Sequence, residues 1–542
     1  MTHPPSFDLT TQPWIQVRAS TGEIDVLSLR DVFARAHELS AIAGEVPTQD
    51  AAVLRLLLAV LRRSHLQLHG TEAWGTLWQR GSFDTELVDS YLEAHRDRFD
   101  LLHPVTPFYQ VADLTTSKGE MSELARLIGD VPSGENKLFT TRTGRGLERI
   151  SFAEAARWLV HAQAYDPSGI KSGAVGDPRV KAGKGYPIGI GWCGWLGLVI
   201  LEGRNLFETL LLNLPSSTKD SHPARDLPVW ERPPHTATSE KGHETPAGPA
   251  DLMTWQARRM RLGHDQHQVT EVLIANGDPL APGNRFREEH MTSWRWSEPQ
   301  TKKAGHDVFM PRAHPADRAA WRGLAGILCE GLDTSPAKQR RGRWLEWLSE
   351  LYEDEELDHD IPIRMRAISM EYGPQSAVVE HVLDDTLTLS ADILSNRTLR
   401  VAAVDAVKDA DQVVRQLGSL AYDLVEAAGG SGDLPAAARS SARETAYAAL
   451  DHPYRAWVRA LSPTSDTGSA RLQWQRQVIT TVQQTARDLI RDAGPEAWTG
   501  RDVKRGDSTI FIDAAIAESN FYRQLRTTFS SAYAARAEGE VA

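Results

Sequence analysis

Cysteine is nearly absent. Cys193 and Cys329 are the two in 542 residues. Two cysteines cannot build a disulfide framework or a cysteine zinc site, and they suit a reducing, cytoplasmic setting. Long apolar runs are also missing. The longest nearly apolar stretch, Ile188 to Leu201, is too short and too glycine-rich to span a membrane. The opening MTHPPSFDLTTQPW has no charged stretch followed by an apolar one, so no secretory leader is expected. Excess basic charge is lacking too. Sixty Lys and Arg stand against 72 Asp and Glu, a net charge of −12. That excludes a free-standing general nucleic-acid binder but leaves room for a local basic face.

What is present is globular. Hydrophobic residues make up 41%, enough for a sizeable core, and the length calls for two to four domains. PWIQVRASTGEIDVLSL reads as a hairpin around Ser-Thr-Gly. AAVLRLLLAVLRR, from Ala51 to Arg63, reads as a strongly apolar helix. Residues 214–250, rich in Pro, Ser, Thr and charge, read as a long surface insertion. From residue 391 the pattern turns helical. Val404, Val407, Val414, Leu417, Leu420 and Leu424 repeat at helical spacing until Gly429–Gly430. Three further segments follow: PAAARSSARETAYAAL, ARLQWQRQVITTVQQTARDLIRDAG and TIFIDAAIAESNFYRQLRTTFSSAYAARA. The fold class expected is α+β. A mixed α/β domain over 1–390 would precede an antiparallel four-helix bundle over 391–542.

The stretch SGIKSGAVGDPRVKAGKGYPIGIGWCGWLG, Ser168 to Gly197, carries nine glycines and four basic residues. Between Lys137 and Lys184 nine Lys and Arg face four Asp and Glu, an excess of five in an acidic chain. Glycine lets backbone N–H groups approach a polyanion, and Lys and Arg neutralise phosphates. A solvated loop pair is the plain alternative. The Walker A pattern fails twice: Pro178 stands in place of its first glycine and Gly185 in place of its Ser or Thr, which argues against a P-loop nucleotidase. GIGWCG, Gly189 to Gly194, matches G-x-G-x-x-G, but Trp192 stands where a pyrophosphate needs room. His264 and His267 in HDQH lack a third placed ligand. No G-x-S-x-G occurs, and neither cysteine has an activating neighbour.

Segments spread over the whole chain resemble the large subunit of the type I-E CRISPR surveillance complex Cascade, the CasA (Cse-type) family. They are FDLTTQPWIQV, HPVTPFYQV (103–111), KLFTTRTG, SGIKSG (168–173), MTSWRW (291–296) and EYGPQSAVVE (371–380), followed by the helical C-terminal region. The resemblance implies a non-catalytic subunit without a cofactor. Its partners would be double-stranded target DNA, a guide RNA with the other Cascade subunits, and a helicase-nuclease effector. It would read a short flanking motif, the PAM, from the minor groove, where little beyond A·T versus G·C is encoded. Gly169, Lys171, Ser172 and Gly173 would take the glycine-loop role. Gln375 would be a wedge that starts strand separation. Phe139, Thr140, Thr141 and Arg142 would form a loop near the PAM and the guide RNA. Arg287, or Arg285, would be the minor-groove cation. Exposed arginines of the bundle (Arg400, Arg415, Arg443, Arg471, Arg476, Arg487) would help guide the displaced strand.

Two departures matter. Pro374 replaces a polar residue before the wedge and stiffens its turn. No cysteine lies between 194 and 328, so the zinc site of some relatives is not expected. Two other function classes stay open: a metabolic enzyme holding a nucleotide or phosphorylated ligand in the Gly/Lys-rich loop, and a scaffold with inert loops.

Overall fold

The computed structural model describes residues 5–129, 142, 148–216, 223–315, 317–329, 338–358, 361–506 and 508–539. The chain divides into two compact units, Met1–Leu387 and Thr388–Ala542.

The first unit mixes α and β. β1 (Ile15–Ala19) and β2 (Ile24–Leu27) form the expected hairpin, with Ile15 opposite Leu27, and β3 (Leu39–Ile42) pairs with the other edge of β1. α1 (Pro47–Ser64) starts with proline in its first turn, a position that needs no N–H donor. Every residue from Thr48 to Leu61 is buried, so this helix is apolar all round because protein surrounds it. Arg55, 2% exposed, is tolerated there because its guanidinium lies 2.9 Å from the Glu289 carboxylate. The Trp192 indole donates to the same carboxylate at 2.7 Å.

α2 (Phe152–Tyr165) is capped by Ser151, whose hydroxyl accepts from the Glu154 N–H at 3.1 Å. It stops at Asp166 because Pro167 follows. β4 (Lys171–Ser172) and β5 (Lys184–Gly185) pair antiparallel. β6 (Leu198–Glu202), β7 (Arg258–His264) and β8 (Gln268–Asn276) come next. β8 is the middle of one sheet. It pairs antiparallel with β7 and parallel with β4, where Ser172 faces Ala275. β9 (Pro362–Tyr372) lies between β6 and β10 (Val379–Ser390) in a second sheet. The 373–378 turn connects β9 to β10.

The 214–250 segment differs from the expected surface insertion. Val229 and Trp230 are 5% and 2% exposed, and Asp226 is 8% exposed. The Asp226 carboxylate accepts from the N–H groups of Ala250 and Asp251 at 3.2 and 2.9 Å. A few large apolar residues in a polar stretch suffice to pack much of it down.

In the second unit α3 (Arg397–Ala428) is central and ends at Gly429 in the left-handed region, φ +93°. It packs against α4 (Leu434–Arg459), α5 (Thr467–Arg491) and, after a hairpin, α6 (Ala514–Thr528). Tyr454 and Trp474 donate to the Ala403 and Ala406 carbonyls at 3.0 and 2.8 Å. One element corrects the helical reading of TIFI. β11 (Arg501–Arg505) and β12 (Ser508–Ile512) form an antiparallel hairpin, and α6 begins only at Ala514. β-branched and aromatic residues at 509–512 favour the strand.

Burial also sets a pH limit. His161, on α2, is 5% exposed and its Nε2 lies 2.9 Å from the Thr48 hydroxyl. Burial lowers its pKa to about 4. His290 and His314 are likewise held down, to about 3 and about 4. An unfolded chain takes up these protons near pH 6.5, whereas the folded chain resists until near pH 4. The stability these three neutral imidazoles contribute is therefore full above about pH 6.5 and falls as pH drops toward 4. The unfolding midpoint is expected to be clearly lower at pH 5 than at pH 7.5, and His161→Gln should narrow the gap. Equal midpoints would contradict neutral buried imidazoles.

Candidate nucleic-acid interface

The glycine loop starts where α2 stops. Gly169 has φ +133°, and a Cβ there would meet nothing within 4 Å, so glycine serves conformation alone. Gly173 serves close approach: a Cβ would lie 2.5 Å from the carbonyl carbon and oxygen of Gly183. The Gly173 N–H donates to that same oxygen at 3.2 Å. Two loops are thereby clasped backbone to backbone.

Lys171 does not point outward. Its ammonium sits 2.6 Å from the Asp166 carboxylate with the side chain 13% exposed. Arg258, 1% exposed, binds the same carboxylate oxygen at 2.5 Å. Burial raises the Asp166 pKa, but the two cations outweigh it and hold the carboxyl below the usual range. Burial pushes the Lys171 ammonium down, and Asp166 opposes that. Arg258 also donates to the carbonyls of Pro167 and Gly189 at 3.1 and 2.8 Å. One buried charge cluster thus shapes the base of the loop. Lys171, expected at the DNA, has its charge paired with Asp166 in this structure.

Alternation along β4 and β5 explains the inversion. Lys171 faces Gly185, and both turn inward. Ser172 faces Lys184, on the opposite side of the ribbon. Ile170 and Tyr186 continue that outer side, 53% and 52% exposed.

The Gln375 turn lies against this loop. The Ser168 N–H donates to the Ser376 carbonyl at 2.8 Å. Gln375 and Ser376 both occupy the left-handed region, φ +58° and +54°, which is uncommon for non-glycine residues. Pro374 opens the turn, and the Ser376 and Ala377 N–H groups close it onto Gly373 and Pro374 at 2.9 and 3.3 Å. The turn is anchored by Tyr372, whose hydroxyl donates to the Tyr165 carbonyl at 2.6 Å. Pro374 and Gln375 are exposed, and the Gln375 side chain makes no hydrogen bond among the described residues. A polar side chain is therefore presented outward on a braced, strained turn.

Other expected residues lie elsewhere. Arg287 is exposed and lines a cavity of about 380 Å³ with Arg62, His65, Glu288 and His290. The Arg285 Nε donates to the Ala281 carbonyl at 3.3 Å, and burial lowers its pKa. Arg142 pairs with Glu154 at 2.6 Å and lies 3.7 Å from Glu45. Phe139, Thr140 and Thr141 fall outside the described residues. In the second unit Arg400 is 5% exposed and donates to the Leu394 carbonyl, so it belongs to no exposed face. Arg471 pairs with Asp409 at 2.8 Å, while Arg415, Arg476 and Arg487 are exposed.

In GIGWCG, Gly189 serves conformation, with φ +110° and open space around it, while Gly191 and Gly194 serve packing. A Cβ on Gly191 would meet Ala164 backbone at 2.5 Å, and one on Gly194 the Tyr372 hydroxyl at 2.5 Å. Trp192 is buried in a short 3₁₀ turn that leads into a strand. No cradle for a pyrophosphate is formed there. His235, Glu240 and Asp278 converge within 4.8 Å. Arg259 already binds Asp278 at 2.8 Å and Arg232 binds Glu240. Burial, and then these guanidiniums, hold His235 down to about 2. A further cation is unfavourable in that field.

The family model for CRISPR-associated protein Cse1 matches residues 8–485. The chain belongs to the Cse1 family. The crystal structure of Cse1 from Thermobifida fusca is 43% identical and superposes with a TM-score of 0.89, over 97% of this chain and 98% of that one. CasA/Cse1 of Thermus thermophilus is 35% identical over 262 residues, 47% of this chain. That match spans about half of the relative, 49% of its length. A chain of a CRISPR RNA-guided surveillance complex, 21% identical, shares the fold with a TM-score of 0.66 over 90% of this chain and all of that one. The mixed α and β architecture is that of Cse1 structures. Within the Cse1 family reading, sequence reasoning missed Asp166 and Arg258. Nothing in their spacing, 92 residues apart, signals that they meet.

Proposed function

We propose that this protein is a non-catalytic large subunit of a type I-E RNA-guided surveillance complex. It reads the PAM in double-stranded DNA through the glycine loop and starts strand separation with Gln375. The observation that carries this is the hydrogen bond from Ser168 to Ser376. It ties the start of the glycine loop, next to Gly169, to the turn that presents an outward glutamine. Backbone without side chains can lie flat against a groove floor, and an inserted side chain exchanges unstacking for an opened end where RNA pairing begins. The partners are guide RNA with the other subunits, target DNA, and a helicase-nuclease recruited after opening. The acidic net charge fits a subunit whose DNA affinity comes from the assembly. A nucleotide enzyme is disfavoured by the packed Gly191 and Gly194 and by the buried Trp192 between them.

The test is reconstitution. The guide-RNA complex is assembled with and without this protein and titrated with duplexes that carry or lack a PAM. PAM-dependent duplex binding is expected only when the protein is present. Equal binding of both duplexes by the complete complex would refute the reading.

A further inference from the structure

Four basic side chains occur between Ser168 and Gly197, and two of them are consumed internally. Lys171 is bound to Asp166. Arg179 is bound to Asp177 at 2.9 Å and to the carbonyls of Asn276 and Gly277 at 3.2 and 2.9 Å. Lys181 and Lys184 remain, both exposed and in no ion pair among the described residues. They flank a two-residue turn with N–H to carbonyl bonds in both directions, each 3.0 Å. Ala182 and Gly183 have φ of +50° and +71°, the geometry of a type I′ turn.

This arrangement is costly as structure. Two like charges stand directly opposite on one face of a hairpin, where they repel. Ala182 takes a left-handed conformation that glycine or asparagine would adopt more readily. The turn is also fixed in place, because Gly183 is clasped to Gly173. The ribbon side that bears Lys184 is the outer one, shared with Ser172, Ile170 and Tyr186.

We infer that Lys181 and Lys184 form a phosphate grip for the backbone of the duplex that the glycine loop reads. The inference rests on the proposed function and adds a sequence-independent contact to it. A polyanion turns the repulsion between the lysines into binding, since each ammonium that meets a phosphate releases a counterion. The grip positions the duplex and carries no base information.

The experiment uses the assembled complex with wild-type protein, Lys181→Ala/Lys184→Ala, or Lys181→Arg/Lys184→Arg. Each is titrated with PAM-containing and PAM-lacking duplexes from 50 to 200 mM salt. Two lost phosphate contacts should flatten the slope of log K against log salt by about 1.8. Wild type then loses about tenfold more affinity across that range than the alanine variant does. The ratio between the two duplexes should stay unchanged, and the arginine variant should keep the wild-type slope. An unchanged slope in the alanine variant overturns the grip. So does a flattened slope accompanied by a collapsed PAM ratio, because the lysines would then read sequence. Absence of any PAM ratio in wild type defeats the proposed function instead, and the slope still decides the lysines.

Discussion

Replacing Gln375 by alanine is expected to weaken binding of a PAM-containing duplex by the assembled complex roughly tenfold or more. Unstacking one base step costs a few kcal/mol, and each 1.4 kcal/mol is tenfold in affinity. A wedge that helps meet this cost acts only while the duplex must be opened. On a target pre-opened by a mismatched bubble, variant and wild type should therefore bind alike in a gel shift. Gln375→Gly separates the side chain from the turn. Glycine relieves the left-handed strain at φ +58°, so a turn-shape effect would spare the glycine variant. A wedge predicts equal losses in both. Duplex binding unchanged in both variants would remove Gln375 from strand separation, and bubble binding that falls in parallel would make it an ordinary contact.

The second large effect is on stability. Asp166→Asn is expected to destabilise the protein by about 3–5 kcal/mol, because removing one partner of a buried ion pair leaves the other charge uncompensated. Here two cations are stranded, Arg258 at 1% and Lys171 at 13% exposure. Lys171→Met should be milder, since Asp166 keeps Arg258. The order of thermal unfolding midpoints is then wild type, Lys171→Met, Asp166→Asn. Lys171→Met should also leave the salt slope of duplex binding unaltered, because that ammonium is held by Asp166. A flattened slope for this variant would return Lys171 to the DNA face.

Sequence reading reached as far as local rules reach. The 15–27 hairpin is announced by its turn, the 51–63 helix by unbroken apolarity, and the stop at Gly429 by glycine's freedom at positive φ. The position of Gln375 on an exposed turn follows from Gly-Pro before it. What remained hidden depends on partners distant in sequence. Whether Lys171 faces in or out of a two-residue strand is decided by Asp166 and Arg258, not by its neighbours. Arg400 sits among apolar helical positions, yet the Leu394 carbonyl draws it inward. Residues 226–251 are polar in composition but anchored by Trp230 and by two N–H groups on Asp226. A mean composition cannot show a single anchor.

The bond between Ser168 and Ser376 is made by main chain on both sides. Any residue except proline at 168 supplies the same donor, and any residue that tolerates φ +54° and keeps its N–H at 376 supplies the same acceptor. On the proposed reading, target recognition and target opening are then coupled by something point substitution can scarcely touch. Side chains around Gln375 are free to drift toward new flanking motifs as invaders change theirs. The two activities stay mechanically linked while preference evolves. A saturation library at 168 and 376 would accordingly tolerate many residues, with proline at either position and β-branched residues at 376 the exceptions.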